Sequence, residues 1–224
     1  MSKKLLAVFT LGITLLSGCF FENKEEMLLN EVELAKELRE NNTIENGDWK
    51  IESTQNNNYT QLIKDGDNFY RLKKVYSSDG TVSKESEIWL IKEENTYLFF
   101  DSDSGTYGVM DLSNDKHVVW SQYLKEKWNS ITSLQNILIN LSTTCSQESA
   151  DCDISKNKKT KNMVVEFTQN KESGIKMELE SKGGYLLRLL TGGNLEHKFN
   201  YDDQTITIPN KGDYTETDAS EFLK

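Results

Sequence analysis

Between Gly47 and Leu112 the chain repeats one unit: a short run rich in β-branched and aromatic residues, then a polar separator. The runs are "WKIES", "YTQLIK", "NFYRLKKVY", "SEIWLIK", "TYLFFD" and "TYGVMDL", and the separators include "KDGD", "SSDG", "KEEN" and "DSDSG". Gly, Asn and Asp tolerate the positive φ of tight turns, and runs of this length and composition are strands. The pattern predicts an antiparallel meander. A second meander is predicted from "MVVEF", "GIKMELE", "GYLLRLL", "EHKFNY" and "TITIP", divided by Asn170 to Ser173, Gly183-Gly184, Gly192-Gly193 and Asp202-Asp203. Pro209, the single proline, closes it.

Two strands are apolar on both faces. In "YLFF", Tyr97 and Phe99 point one way while Leu98 and Phe100 point the other. In "YLLRLL", Tyr185, Leu187 and Leu189 oppose Leu186 and Leu190. A sheet wetted on one side alternates apolar with polar residues instead, so both faces of these strands require cover.

The cover is predicted to be helical. From His117 to Leu141 the residues Trp120, Leu124, Trp128, Ile131, Leu134, Leu138 and Leu141 recur every three or four positions, the stripe of one long amphipathic helix capped by Ser113 or Asn114. A shorter N-terminal helix is read from Glu22 to Arg39, with Leu28, Val32, Ala35 and Leu38 on one side. Residues 145–162, which carry "KNKKTK", read as a solvated loop, and Thr217 to Leu223 as a short terminal helix. The fold class is therefore α+β, a mostly antiparallel sheet with a long helix packed on it.

The first residues carry an address. Lys3 and Lys4 precede an apolar run from Leu5 to Leu16, an export signal. A dozen residues span about 18 Å as a helix, short of a hydrocarbon core of about 30 Å. Leu16-Ser17-Gly18-Cys19 resembles the lipobox of bacterial lipoproteins. The resemblance implies cleavage before Cys19, a diacylglycerol on its thiol and an acyl chain such as palmitate on the new amino group. Two or more chains hold a protein stably at a bilayer where one binds reversibly. The resulting division is 1–18 signal peptide, 19–24 lipidated tether, 25–212 a single domain, and 213–224 a C-terminal tail or short helix. A tether this short reaches at most about 20 Å, which keeps the domain beside the cell membrane or outer membrane, on its extracytoplasmic face.

Loss of Lys3 and Lys4 takes the formal charge from -10 to -12. A surface this acidic disfavours nucleic acid and electrostatic adhesion to anionic lipid. Cys145 and Cys152 flank "SQESAD", and in an exported chain they read as a local disulfide. The six-residue spacer is not the Cys-x-x-Cys arrangement that lowers a thiol pKa. An oxidising compartment fits a periplasm.

Chemistry is poorly supplied. Ser-x-x-Lys occurs at Ser113/Lys116, Ser155/Lys158 and Ser173/Lys176, all in polar turns, and Gly-x-Ser-x-Gly does not occur. His117 and His197 are the only histidines, too few for a zinc site built on imidazole. "DSDSG" lacks the Gly and terminal Glu of a calcium loop and reads as a hairpin turn. No catalytic residue, metal ligand or cofactor is assigned.

The order of helix, meander, amphipathic helix and second meander ending in "YDDQTITIPN" resembles the lipoprotein-carrier and lipoprotein-receptor type of bacterial envelope protein, over about residues 25–210. That resemblance implies a curved half-barrel with helices across its concave side and a greasy cavity between them. The residues placed to line it here are Trp89, Phe99, Trp120, Leu124, Trp128, Ile131 and Leu187. The expected function is a non-enzymatic, lipid-anchored envelope protein binding a hydrophobic ligand, a lipid or acyl chain. The alternative is an envelope interaction or structural lipoprotein that acts through a protein partner.

Overall fold

A computed structural model describes residues 23–168, 174–219 and 222. Cys19 and the export signal lie outside the described residues.

The six predicted strands of the first half form as β1 (Trp49–Gln55), β2 (Asn58–Asp65), β3 (Asn68–Tyr76), β4 (Val82–Glu93), β5 (Thr96–Asp101) and β6 (Thr106–Asp111). Each pairs antiparallel with the next. The second half supplies β7 (Asp151–Lys156), β8 (Met163–Thr168), β9 (Lys176–Lys182), β10 (Tyr185–Thr191) and β11 (Leu195–Asn200). The two meanders join edge to edge through antiparallel β1 and β11. With β12 (Thr215–Thr217), the described residues build one open sheet of twelve strands, ordered β12-β6-β5-β4-β3-β2-β1-β11-β10-β9-β8-β7.

The helices lie on one face, here called the inner face. Helix α1 (Lys24–Glu40) starts at Asn23, whose side chain accepts from the Glu25 N–H, and carries Glu25 and Glu26 in the first turn, where the helix dipole favours them. It buries Met27, Leu28, Val32 and Ala35, with Leu38 partly covered. A single turn, α2 (Thr43–Asn46), leads into β1.

The single long helix expected from 117 to 141 is replaced by three: α3 (Asp115–Trp128), α4 (Ser130–Ile139) and α5 (Leu141–Cys145). Breaks fall at Asn129 and Asn140, and the Asn140 side chain donates to the Asn136 carbonyl at 2.8 Å. Asparagine competes for backbone partners in this way, which is why it favours helix ends. The apolar phase survives both breaks. Leu124, Trp128, Ile131, Leu138 and Leu141 are buried in one cluster, with Trp120 and Leu134 at its margin. Asn114 is the N-cap of α3.

Three further expectations are corrected. The supposed loop 145–162 contains β7, whose polar sequence "DCDISK" hid it; an edge strand is covered on one side only, and its charges deter pairing with another chain. "TITIP" makes no strand. It runs across the outer face, where Ile206 is buried and its N–H donates to Asp65 Oδ2 at 3.1 Å. The segment assigned to a tail instead adds β12, parallel to β6. Of the terminal helix expected over 217–223, residues 220, 221 and 223 lie outside the described residues.

The two-faced strands are explained by self-packing. On β5, Tyr97 and Phe99 enter the helical core, while Leu98 and Phe100 join Trp89, Ile91 and Ile206 in a second core on the outer face. The chain from 201 to 214 is the strap that covers this second core, with Tyr214 packed edge-on against Phe100 and Trp89. On β10 a bulge between Leu186 and Arg188 resets the alternation, so Leu186 and Leu189 are both buried in the helical core.

The α1 helix is keyed to the β9–β10 turn. Both Glu31 carboxylate oxygens accept, from the N–H groups of Gly183 and Gly184, each at 2.9 Å. Buried Gln135 of α4 grips the same hairpin, accepting from the Leu186 N–H at 3.2 Å and donating to the Gly184 carbonyl. The disulfide between Cys145 and Cys152 then ties the end of α5 to β7.

Candidate functional site

The residues predicted to line a cavity do not share one site. Phe99, Leu124, Trp128 and Ile131, with Trp120 beside them, meet in the helical core. Trp128 lies edge-on to Phe69 at 6.1 Å between ring centroids and tilted against Phe99 at 6.4 Å. Ile131 is fully buried. These contacts fill the space between α3, α4 and the sheet with side chains rather than lining a void. Trp89 belongs to the outer core, 5.3 Å from the Tyr70 ring, because it alternates with Leu90 along β4. Leu187, displaced by the β10 bulge, borders an open depression of about 420 Å³ with Lys182, Tyr185, Phe199 and Tyr201. A gap of about 10 Å³ between α1, α2 and α4, edged by Leu38, Ile44 and Ile139, holds at most a water.

Open space lies instead where the inner face of the sheet outruns its helices. Helix α3 packs on β6 and, through Trp128, reaches Phe99 of β5 and Phe69 of β3, whereas α4 packs on β10. Between them a register row crosses Lys73, Thr60, Ser53 and His197 and enters the buried core at Leu189 and Leu179. Lys73 is exposed, Thr60, Ser53 and His197 are half-buried, and Leu189 and Leu179 are covered. Beside the covered end, a depression of about 250 Å³ is lined by Ile137, Phe167 and Met177, with Ser133, Asn136, Asn140 and Thr144 at the rim. From β3 to β11 the uncovered strip crosses three strand spacings, about 14 Å at 4.8 Å each. Its floor is basic at β3 and polar from β2 to β11, and β10 and β9 are covered at Leu189 and Leu179.

His197 is the polar centre of the strip. Its Nδ1 stands 2.7 Å from Ser53 Oγ, and its ring lies 6.4 Å from that of Phe199. Burial holds the imidazole below the ordinary histidine range. The alternation of "EHKFNY" places His197 on the same face as Phe199, so this position was legible; its pairing with Ser53, 144 residues away, depends on the β1–β11 seam. Among the described residues no carboxylate is hydrogen-bonded to the histidine, whose side-chain partner is Ser53.

The outer face is a charge ladder. Arg188 pairs with Glu178 and Glu196, Lys198 with Glu196 at 3.1 Å, Lys50 with Glu52 at 3.7 Å and Lys74 with Glu85 at 3.0 Å. Tyr59 donates to Glu52 at 2.7 Å and Tyr70 to Glu87 at 2.5 Å, and these hydrogen bonds with burial push both phenols above their usual range. The ladder holds Glu52 and Glu196 below the usual carboxylate range, through Tyr59 and Arg188 respectively. Each of these charges is answered, so this face reads as solvated structure.

Among the described residues no helix is long and apolar enough to cross a membrane. No protein-family model matches the chain, and no curated protein does. Among solved structures, LprF from Mycobacterium bovis is similar at 14% identity and a TM-score of 0.40, over 84% of this chain and 96% of that one. PNGF-II is similar in two crystal forms, at 9% and 10% identity and TM-scores of 0.26 and 0.27. Both of those alignments cover 79% of this chain, which spans about a third of PNGF-II, 32% and 33% of the two chains. At this degree of overlap neither the shape nor the activity of those proteins transfers to this one.

Proposed function

We propose that the protein is a non-enzymatic, lipid-anchored envelope protein that holds an elongated hydrophobic ligand, such as an acyl chain, along the strip of inner sheet face that its helices leave uncovered. The observation that carries this is the position of the open space. It lies on the inner face beside the helices, from Lys73 to His197, and an apolar depression at Ile137, Phe167 and Met177 opens on the same face. The sealed packing around Trp128 supports a ligand beside the helices rather than beneath them. The anchor is Cys19, whose lipobox gives the extracytoplasmic address.

Native mass spectrometry of the full chain tests the ligand: a lipid retained beyond the covalent acyl groups is expected, and Met177→Asp should abolish it. A chain free of lipid that binds no fluorescent fatty acid refutes the proposal. Cys19→Ala should accumulate unprocessed precursor that incorporates no labelled palmitate; undiminished labelling removes the anchor. The filled core also favours a second reading, a structural protein acting through a protein partner. Crosslinking in the envelope to a stoichiometric partner, with no lipid retained, selects that one.

A further inference from the structure

Arg71 and Lys73 occupy alternate positions of β3 and so share the inner face, about 6.6 Å apart along the strand. The Arg71 guanidinium lies 5.7 Å from the Trp128 ring centroid, at the C-terminal end of α3. The next residue back on that helix is Lys127, whose ammonium stands 5.7 Å from the Tyr123 ring. Arg71, Lys73 and Lys127 form no ion pair with any described residue. Acids outnumber bases in this chain, 36 to 26, and the same strands pair Lys74 with Glu85 and Lys84 with Asp103. At the inner end of β3 three cations are gathered with no carboxylate at ion-pair distance among the described residues. Asp101 and Asp103 act on Arg71 from further away. The gathering has a cost, because Arg71 and burial together hold the Lys73 ammonium below the usual lysine range. The dipole at the C-terminus of α3 favours Lys127 there, but it gives no reason for Arg71 or Lys73 on the facing strand.

We infer that Arg71, Lys73 and Lys127 bind an anionic group, a carboxylate or a phosphate, at the head of the ligand whose tail lies along the uncovered strip. This rests on the function proposed above and gives the ligand a class and a direction: an anionic amphiphile, head at β3, tail toward β11. Trp128 presents its face to Arg71 and fixes the guanidinium plane, so that its N–H groups meet the anion in a set orientation. Lys73, which is exposed, closes from the strand side, and Lys127 from the helix side.

The test uses the full chain in nanodiscs of zwitterionic lipid and three probes: octyl phosphate, 1-octanol and inorganic phosphate, followed by tryptophan fluorescence. Octyl phosphate is expected to bind roughly tenfold or more tighter than octanol. Lys73→Gln, an exposed substitution that leaves the fold intact, should remove a large part of that preference, and Arg71→Gln with Lys73→Gln nearly all of it. Equal affinity for octyl phosphate and octanol overturns the anion site while leaving the hydrophobic ligand standing. Inorganic phosphate binding that depends on Arg71, with no gain from the octyl tail, keeps the anion site and refutes the acyl ligand. Binding of none of the three refutes both.

Discussion

The turn between β9 and β10 offers a matched pair of substitutions. Gly183 and Gly184 both have positive φ, +60° and +80°, so a side chain at either position meets the same left-handed backbone cost of about 1–2 kcal/mol. They differ in what surrounds them. A Cβ on Gly183 meets nothing within 4 Å, whereas one on Gly184 sits 2.6 Å from the Ala35 nitrogen and 2.6 Å from the Leu34 carbonyl carbon of α1. These are helix backbone atoms that cannot swing aside, so α1 must move as a body and pull Glu31 away from the two N–H groups it accepts. Overpacking of this kind adds about 1–3 kcal/mol. Gly183→Ala should therefore cost about 1–2 kcal/mol and Gly184→Ala about 2–5 kcal/mol. With an m-value of about 2 kcal/mol/M, the urea midpoint should fall by about 0.5–1 M in the first variant and by about 1–2.5 M in the second. Unfolding followed by circular dichroism, with the disulfide kept oxidised, measures both. Midpoints that agree within experimental error would mean that α1 does not bear on this turn, and the docking of α1 described above would be wrong.

Other consequences follow from the cores, the staple and the strip. Ile206→Ala should cost about 2–3 kcal/mol by opening the outer core and should shift Trp89 emission to the red; unchanged emission would mean the strap does not seal that face. Reducing Cys145–Cys152, seven residues apart, should lower stability by about 2.5 kcal/mol on the chain-entropy model, and protease should then cut first near β7; an unchanged melting temperature contradicts this. Burial lowers the His197 pKa in the folded state, so the unfolded chain takes up a proton first as pH falls. Its contribution is complete above about pH 6.5 and is lost as the pH drops through the folded-state value. His197→Gln should accordingly lose less stability than the parent between about pH 7.5 and pH 5.5, and identical slopes refute the burial.

Much of the fold was legible in the sequence because turns and alternation are local. Every run named between Gly47 and Leu112 is a strand, and the stripe from Trp120 to Leu141 faces the sheet through two breaks. What failed were segments whose cover comes from far away. "TITIP" has strand composition, yet the outer core holds Ile206 as a strap, and "DCDISK" has loop composition, yet β8 and the disulfide hold it as an edge strand. For the site, composition identified the greasy residues but not their partners. The β4–β5 register pairs Trp89 with Phe100 and so puts Trp89 on the face opposite Phe99, and alternation within each strand does not give that register.

By itself the sequence determined the class of the chain: turn residues and β-branched runs dictate strand lengths, and the three-and-four spacing dictates an amphipathic helical layer. Tertiary structure alone decided that the two meanders share one sheet and that the outer core closes under the chain's own C-terminal segment. It also decided that Lys73, Thr60, Ser53 and His197 lie along one uncovered strip. The physical reason is that side-chain alternation specifies which way a residue points but not which strand lies beside it. That second fact is set by the β1–β11 seam, a pairing between residues about 150 positions apart that no local pattern encodes.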